Sequence, residues 1–338
     1  MRLCKPGYYD RFHCIASACP DTCCQLWDIQ VDPETAKFYR TIPGELGETV
    51  RHSLRQEDGE TLIAMENGHC PLQDAQGLCS LQVKLGEKAL CQVCREFPRL
   101  HHDYGDFMEL GLELSCPEAA RIILTSPEAP DVIFQVSGGS EPEYDLEAME
   151  ILLATRAQAL ALLSEGKYSP AQKLILLFFY GCHAQGLLDG EEMGNFDPEA
   201  ALQTASTMAC SSSFQDVLQF FKCEEILTDE WSALLKSAHS PRLTPMVLPF
   251  CRYLVQRYWL QAVSDYDLYC RVKFMLISCL LVCSLQSDFI RGAQLFSKEI
   301  ENDIDNVDAI LDAAYTDPIF TDNRLLGFLL KNPVNSTV

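Results

Sequence analysis

Basic residues are the scarce component of this 338-residue chain: 26 Lys and Arg stand against 48 Asp and Glu, a formal net charge of −22. Such a surface repels nucleic-acid phosphates and anionic lipid headgroups, so no nucleic-acid partner is expected. Long apolar runs are lacking too. The longest nearly apolar stretch, Phe274 to Leu285, has about 12 residues where a bilayer needs ~20, so no membrane insertion is expected. The stretch Met1 to Asp10 lacks the apolar core of a secretory signal, which makes the reducing cytosol the expected location, a cytoplasmic one. Disorder is excluded by 48% hydrophobic and 22% charged residues. The length allows two domains at roughly 150 residues each.

Cysteine is abundant instead. There are 17, ten of them within residues 1–116 and only seven in the remaining 222. In a reducing compartment dense cysteines bind metal more often than they pair, and the odd total leaves at least one thiol unpaired in any case.

The first 125 residues read as a small cysteine-rich α+β module. Leu26 to Val31 alternates like a half-buried strand, and Asp32-Pro33-Glu34 has the N-cap and first-turn proline of a helix running from Thr35 to Arg40. Thr61 to Glu66 is a second expected strand, closed by Asn67-Gly68, and Asp106 to Leu114 a third extended segment. Ser115-Cys116-Pro117-Glu118 opens a short helix. Residues 126–143, with prolines and Gly138-Gly139, read as a linker. From 144 to 338 the pattern is helical, with expected helices at Tyr144–Leu163, Ala171–Leu188, Phe214–Phe221, Pro245–Val263, Asp267–Leu285, Phe289–Ile300 and Ile304–Tyr315. The expected fold is mainly α: the cysteine-rich module followed by an all-α helical bundle.

The cysteines fall into two spaced groups. Cys14-x4-Cys19-x3-Cys23-Cys24 is one; Cys70-x8-Cys79-x11-Cys91-x2-Cys94 is the other, with Cys116 following alone. Thiolates are soft ligands for zinc or iron–sulfur centres, and short loops let one centre collect several. Nine thiols exceed the four of a single closed site, so spare thiols or two sites are implied. A zinc ribbon needs two C-x-x-C knuckles and only Cys91-x2-Cys94 qualifies; the C-x3-C-x2-C of radical enzymes is broken by Leu26 and Gln286. Spacing supports a metal centre and leaves the metal open. His13, His69, His101 and His102 lie beside these groups and could replace a thiolate. Cys182, Cys210, Cys223, Cys251, Cys270, Cys279 and Cys283 sit among apolar helical residues and read mostly as inert core thiols.

These residues also carry a resemblance. Tyr9-Asp10-Arg11-Phe12-x-Cys14, Cys19-x3-Cys23-Cys24 with Trp27 and Asp32 behind it, Gly77-Leu78-Cys79, Leu85-Gly86-Glu87, Leu90-Cys91-x2-Cys94 with Phe97-Pro98-Arg99, and Ser115-Cys116-Pro117-Glu118-Ala119 resemble the flagellin lysine-N-methylases. These belong to a broader zinc- or iron-chelating cysteine-cluster group. The likeness covers about residues 8–125. It implies S-adenosylmethionine-dependent methylation of flagellin lysines, a link to the bacterial flagellum, and a 4Fe-4S cluster held by the N-terminal cysteines.

Methyl transfer to lysine needs a neutral amine, whereas free lysine titrates near ~10.4, so a site must desolvate or deprotonate it. Tyr8, Tyr9, Asp10, Asp28, Asp103, Tyr104, Asp106 and Glu109 lie near the cysteines in sequence; Tyr9, Asp10 and Tyr104 are the candidate catalytic groups. Arg95 and Arg99 are candidates to grip a cofactor carboxylate. Gly138-Gly139 lacks the G-x-G-x-x-G frame, so the common nucleotide-binding fold has no support. An open cluster with three cysteine ligands and a closed four-cysteine centre, iron or zinc, both fit the spacing. So does a chelating structural or interaction module without catalysis. The Arg/Tyr mixture from Arg252 to Arg271 reads as a candidate partner surface.

Overall fold

Most of the long apolar run becomes one helix, Leu268–Val282, in which Tyr269 alone is not buried. A helix apolar on every side belongs in the middle of a bundle. Its two cations are matched: Arg271 meets Asp265 at 2.8 Å and Lys273 meets Asp322 at 3.2 Å. Around it pack the helices Pro170–Leu188, Val247–Tyr258, Phe289–Phe296, Ile304–Thr316 and Asp322–Leu330, with Leu146–Ser164 behind the first. Helix starts follow local chemistry. Ser169 and Gln172 form a reciprocal capping box ahead of Pro170, and Asp145 caps Leu146–Ser164. The chain is mainly α, as its pattern indicates. The computed structural model describes residues 1–126 and 131–331. Among them, no helix is long and apolar enough to cross a membrane.

The strands cluster near the N-terminus. β1 (Arg2–Lys5), β2 (Ile29–Val31), β3 (Leu54–Glu57), β4 (Glu60–Ile63), β5 (Arg99–Asp103), β6 (Phe107–Leu112) and β7 (Val132–Gln135) form two sheets. The larger has the order β5-β6-β1-β7, with β1 parallel to β6 and antiparallel to β7. The smaller is antiparallel, in the order β2-β4-β3. Part of the expected linker is therefore sheet: β7 closes one edge, pairing Gln135 with Arg2 and Val132 with Lys5. Residues 127–130 of that linker lie outside the described residues. The helices Gly44–Ser53, Pro198–Met208, Asp229–Ser237 and Asp322–Leu330 have no counterpart in the sequence expectation.

Two hydrophobic cores result. The smaller gathers Ile29, Val31, Tyr39, Val50, Ile63 and Leu72 around β2 and β4. The larger joins Phe12, Phe107, Leu112 and the helix Pro117–Thr125 to the helical bundle. Close packing sets the bundle's spacing at Gly181, where a Cβ would lie 2.7 Å from Val272 Cγ2 on the central helix. Gly181→Leu is expected to force these helices apart and cost about 1–3 kcal/mol. A lowered denaturant midpoint checks this; an unchanged one would show the contact to be absent.

Candidate functional site

The cysteine groups meet at the seam between the two cores. Cys70 and Cys91 are buried inside the smaller core, with Cys24, Cys79 and Cys94 at its edge, while Cys116 packs on the larger. Backbone pairing fixes the first group against the second. Cys70 N donates to Cys24 O at 2.9 Å and Leu26 N to Gly68 O at 3.0 Å, so the chain leaving Cys23 runs antiparallel to Gly68–Cys70. Gln73 bridges onward, its amide donating to the Thr22 hydroxyl at 3.1 Å while its backbone pairs with Cys79. Cys91 is set by Tyr39, whose hydroxyl accepts from Cys91 N at 3.0 Å, and Asp32 caps both Thr35 and Gln92. The helix Gln92–Glu96 then brings Cys94 round beside Cys91.

The electrostatics show which thiols face one another. Cys70 feels Cys79, Cys91 and Cys23; Cys94 feels Cys91, Cys24 and Cys23; Cys116 feels Cys19 and Cys23; Cys19 feels Cys14. Cys23 thus stands between the two groups. Burial is the main cause that pushes Cys70 up to about 11 and Cys116 up to about 12, and it raises Cys19 and Cys79 as well. Bonds between neighbours raise Cys23 through Cys24 and Cys94 through Cys91. Cys91 alone is held below the ordinary thiol range, first by the bond from Cys94 and then by backbone and Tyr39 donors. Backbone N–H groups of Leu81 and Gln82 face Cys79, and those of Glu118 and Ala119 face Cys116, each favouring thiolate.

Soft donors crowded this closely, with few cations among them, cannot all ionise unless a bound cation takes their charge. Among the described residues no three His, Cys, Asp or Glu side chains already stand in metal-ligand geometry. The donor set fits a thiophilic centre by its chemistry and neighbourhood, with Cys23, Cys24, Cys70, Cys79, Cys91 and Cys94 as its densest part.

One carboxylate ties this loop to the bundle. Asp21 accepts from Arg291 at 3.0 Å, Lys298 at 3.1 Å and Gln294 at 3.2 Å, and Gln294 also donates to Ser115 O at 2.6 Å. Lys298 lies in a π-helical turn, Ser297–Glu301, that continues the helix Phe289–Phe296 and is buried throughout. Such turns favour functional sites.

Of the expected catalytic residues, Tyr9 lies near Asp10 and Arg99, whereas Tyr104 packs on Phe107. Asp10 is exposed and paired with Lys5, and the Lys5 ammonium also lies 5.8 Å from the Tyr9 ring. Tyr104 stacks on Phe107 at 4.7 Å and shares no contact with Tyr9 or Asp10 among the described residues. Asp28 binds Arg55 and Met65 N, Asp103 caps Gly105 N, and Asp106 accepts from Tyr144. Arg95 is exposed, and Arg99 covers the Phe12 ring at 5.2 Å. His13 and His69 are exposed, and His101 lies 3.8 Å from Glu96. Among the later cysteines Cys251, Cys270 and Cys279 are buried, whereas Cys210 and Cys223 are exposed rather than core. Tyr253, Tyr258 and Trp259 are buried too, so they form no partner surface: Tyr253 and Tyr258 hydrogen-bond the buried Glu301 carboxylate.

A second feature was not foreseen. A small cleft lies between the larger sheet and the helices Leu146–Ser164 and Val247–Tyr258. Its lining includes Tyr8, His102, Glu109, Arg156, Tyr253 and Arg257. Glu109 and Arg156 form a two-pronged ion pair at 2.8 and 2.5 Å. The sequence signal for it is slight: Tyr8, Glu109 and His102 stand out as residues near the cysteines, and Tyr253 and Arg257 only within the Arg/Tyr stretch, with nothing to join them.

Similarity to known proteins bears on both features. Over 132 residues, 37% of this chain, it is 36% identical to proteins named Lysine-N-methylase from Salmonella typhimurium and Salmonella choleraesuis, covering 33% of each. Over the same length it is 36% identical to the Flagellar biosynthetic protein FliU of Salmonella muenchen, covering 78% of that protein. The match thus spans about a third of the two methylases. No family model and no solved structure matches.

Removing the Asp21 carboxylate tests the seam. Asp21→Ala strands Lys298, whose side chain is 3% exposed, and is expected to cost about 3–5 kcal/mol as a broken buried pair. Thiol-reagent labelling of Cys19, Cys23 and Cys24 should quicken. Unchanged labelling with unchanged stability would show that Asp21 does not hold the loop.

Proposed function

Because the chain belongs to the flagellin lysine-N-methylase family, we propose that it is an S-adenosylmethionine-dependent protein-lysine N-methyltransferase acting on flagellin. The likeness to the two proteins named Lysine-N-methylase supports the methylase part of this reading, and the likeness to FliU, at 36% identity over 78% of that protein, its flagellar part. The gathering of nine N-terminal cysteines at one seam supports its metal part.

Under this reading three or four of Cys23, Cys24, Cys70, Cys79, Cys91 and Cys94 would supply the ligands of a 4Fe-4S cluster, the rest, with Cys14, Cys19 and Cys116, being spare thiols or a second site. When bound, the cluster would supply iron sites and S-adenosylmethionine a sulfonium methyl group. The chain's own part is to hold the thiols together, exclude water and present a lysine as its neutral amine. Tyr9, Asp10, Tyr104, Arg95 and Arg99 are the candidates for this part that the sequence offers, Arg95 standing next to Cys94 on the helix Gln92–Glu96.

A zinc- or iron-chelating module without catalysis is the second reading. It draws on Cys70 and Cys91, which are buried within the smaller core as structural ligands would be.

Flagellin co-expressed with the protein and analysed by mass spectrometry is expected to show lysines heavier in steps of about 14 Da, one methyl each. No such increment would defeat the methylase reading. Anaerobic purification is expected to give brown protein containing iron and acid-labile sulfide; colourless protein containing zinc would favour the second reading.

A further inference from the structure

The cleft beside the larger sheet is built by register. His102 on β5 stands opposite Glu109 on β6, and Cys4 on β1 pairs with the same Glu109. Directly paired residues share one face of a sheet. Two residues along, Leu100 stands opposite Gly111 on that face. Gly111 has no side chain to fill the gap, and a Cβ there would meet only Leu100 at ordinary contact distance, 3.6 Å. The glycine therefore opens a slot with Leu100 and Pro6 among its apolar walls.

The polar end of this slot has one unsatisfied atom. His102 Nε2 is buried and has no hydrogen-bond partner among the described residues. Other polar groups there are committed: Glu109 to Arg156, Arg257 to Glu301 and Tyr253, Lys5 to Asp10. A buried polar atom without a partner costs stability unless a ligand or water completes it. Burial first, then Arg257, with His101 and Arg156 adding and Glu109 opposing, hold His102 below its ordinary value. It is neutral at pH 7, with a lone pair on one ring nitrogen. The remaining titratable lining groups, Cys4, Tyr8 and Asp131, are all raised, chiefly by burial, and the two thiol and phenol groups stay neutral.

A lysine side chain is a four-carbon stem ending in an amine, which matches apolar walls leading to one acceptor. Arg156 and Arg257 beside the amine disfavour its charged form, and so does desolvation. We infer that this cleft takes the substrate lysine, its stem along Leu100 and Pro6, and that His102 Nε2 accepts a hydrogen bond and then a proton from the ε-ammonium. One ammonium N–H bond breaks, its electron pair stays on nitrogen as the lone pair methyl transfer requires, and the proton makes His102 an imidazolium that releases it to solvent. This rests on the lysine-methylase reading and names the groups that serve its substrate.

The test uses the full chain without any methyl donor, so that binding is read apart from methylation. Nα-acetyl-lysine methylamide is titrated calorimetrically against the wild type, His102→Leu, His102→Gln and Gly111→Val, with the norleucine analogue as the amine-free control. Wild type is expected to bind the lysine probe and not the control. His102→Leu and Gly111→Val should weaken binding about tenfold or more, while His102→Gln, which still accepts a hydrogen bond, should retain it. In co-expression with flagellin, His102→Gln should nonetheless lower methylation at least about 100-fold, because an amide cannot take the proton. Equal binding of the norleucine control, or wild-type binding by His102→Leu with an unchanged melting temperature, would overturn the assignment. If the lysine probe binds as expected but flagellin gains no methyl groups, the methylase reading fails and the lysine seat stands. If flagellin is methylated equally by wild type and both His102 variants, the seat fails and the methylase reading stands.

Discussion

Everything at the seam depends on one carboxylate shared by two cations. Asp21 sits in the loop between Cys19 and Cys23, yet its partners Arg291 and Lys298 are some 270 residues away in sequence. Without it, the Cys14–Cys24 loop would keep its backbone pairing with Gly68 and Cys70 and the bond from Gln73 to Thr22, and lose its tie to the bundle. With it, the loop is held against the π-helical turn as well, and Gln294 extends the tie to Ser115, next to Cys116. Buried charges are costly unless matched, so the three groups specify one another. The loop can be ordered only where Lys298 is, and this fixes the side of the bundle on which the thiols collect.

The thiols in turn explain why such an anchor is needed. Neutral crowded thiols attract one another weakly, and ionised ones repel. Neither state holds a loop in place. The two cores supply the rigidity, through Tyr39 behind Cys91 and the helix Pro117–Thr125 behind Cys116. Asp21 supplies the alignment between them. A thiophilic cation would exchange the mutual repulsion of ionised thiols for bonds.

Local signals reached far into this structure but stopped at pairings distant in sequence. Asp32 before Pro33 marks a helix start from three neighbouring residues, and the structure has Asp32 accepting from Thr35 N. The central helix shows in its apolar run, and the cysteine spacing shows which thiols gather at the seam. β1 and β7 do not show in this way. Arg2–Lys5 has no alternation to mark it, and its strand character comes from β6 and β7, more than a hundred residues away. Val132–Gln135 lies among prolines and glycines that mark a linker, and tertiary pairing overrides them. The cleft was hidden for the same reason. Tyr8, His102, Glu109, Arg156 and Arg257 come from separate stretches of chain, and no spacing rule joins them. His102 looked like one of several histidines near cysteines; its distinguishing property, an unpartnered Nε2, exists only once the sheet has formed.

The acidic composition and the cleft have opposite signs, and on the lysine reading that opposition has a use. A net charge of −22 spread over the surface draws cationic side chains toward the protein. Arg257 is the strongest single charge acting on His102, opposed by Glu109, with His101 and Arg156 adding less. An ammonium moving from that surface into the slot passes from a potential that stabilises its charge to one that does not. Water is lost over the same path, and both changes act against the protonated form. A uniformly acidic slot would bind lysine more tightly but would hold the proton in place. Arginines among the lining residues are hard to reconcile with cation binding alone and are what deprotonation requires.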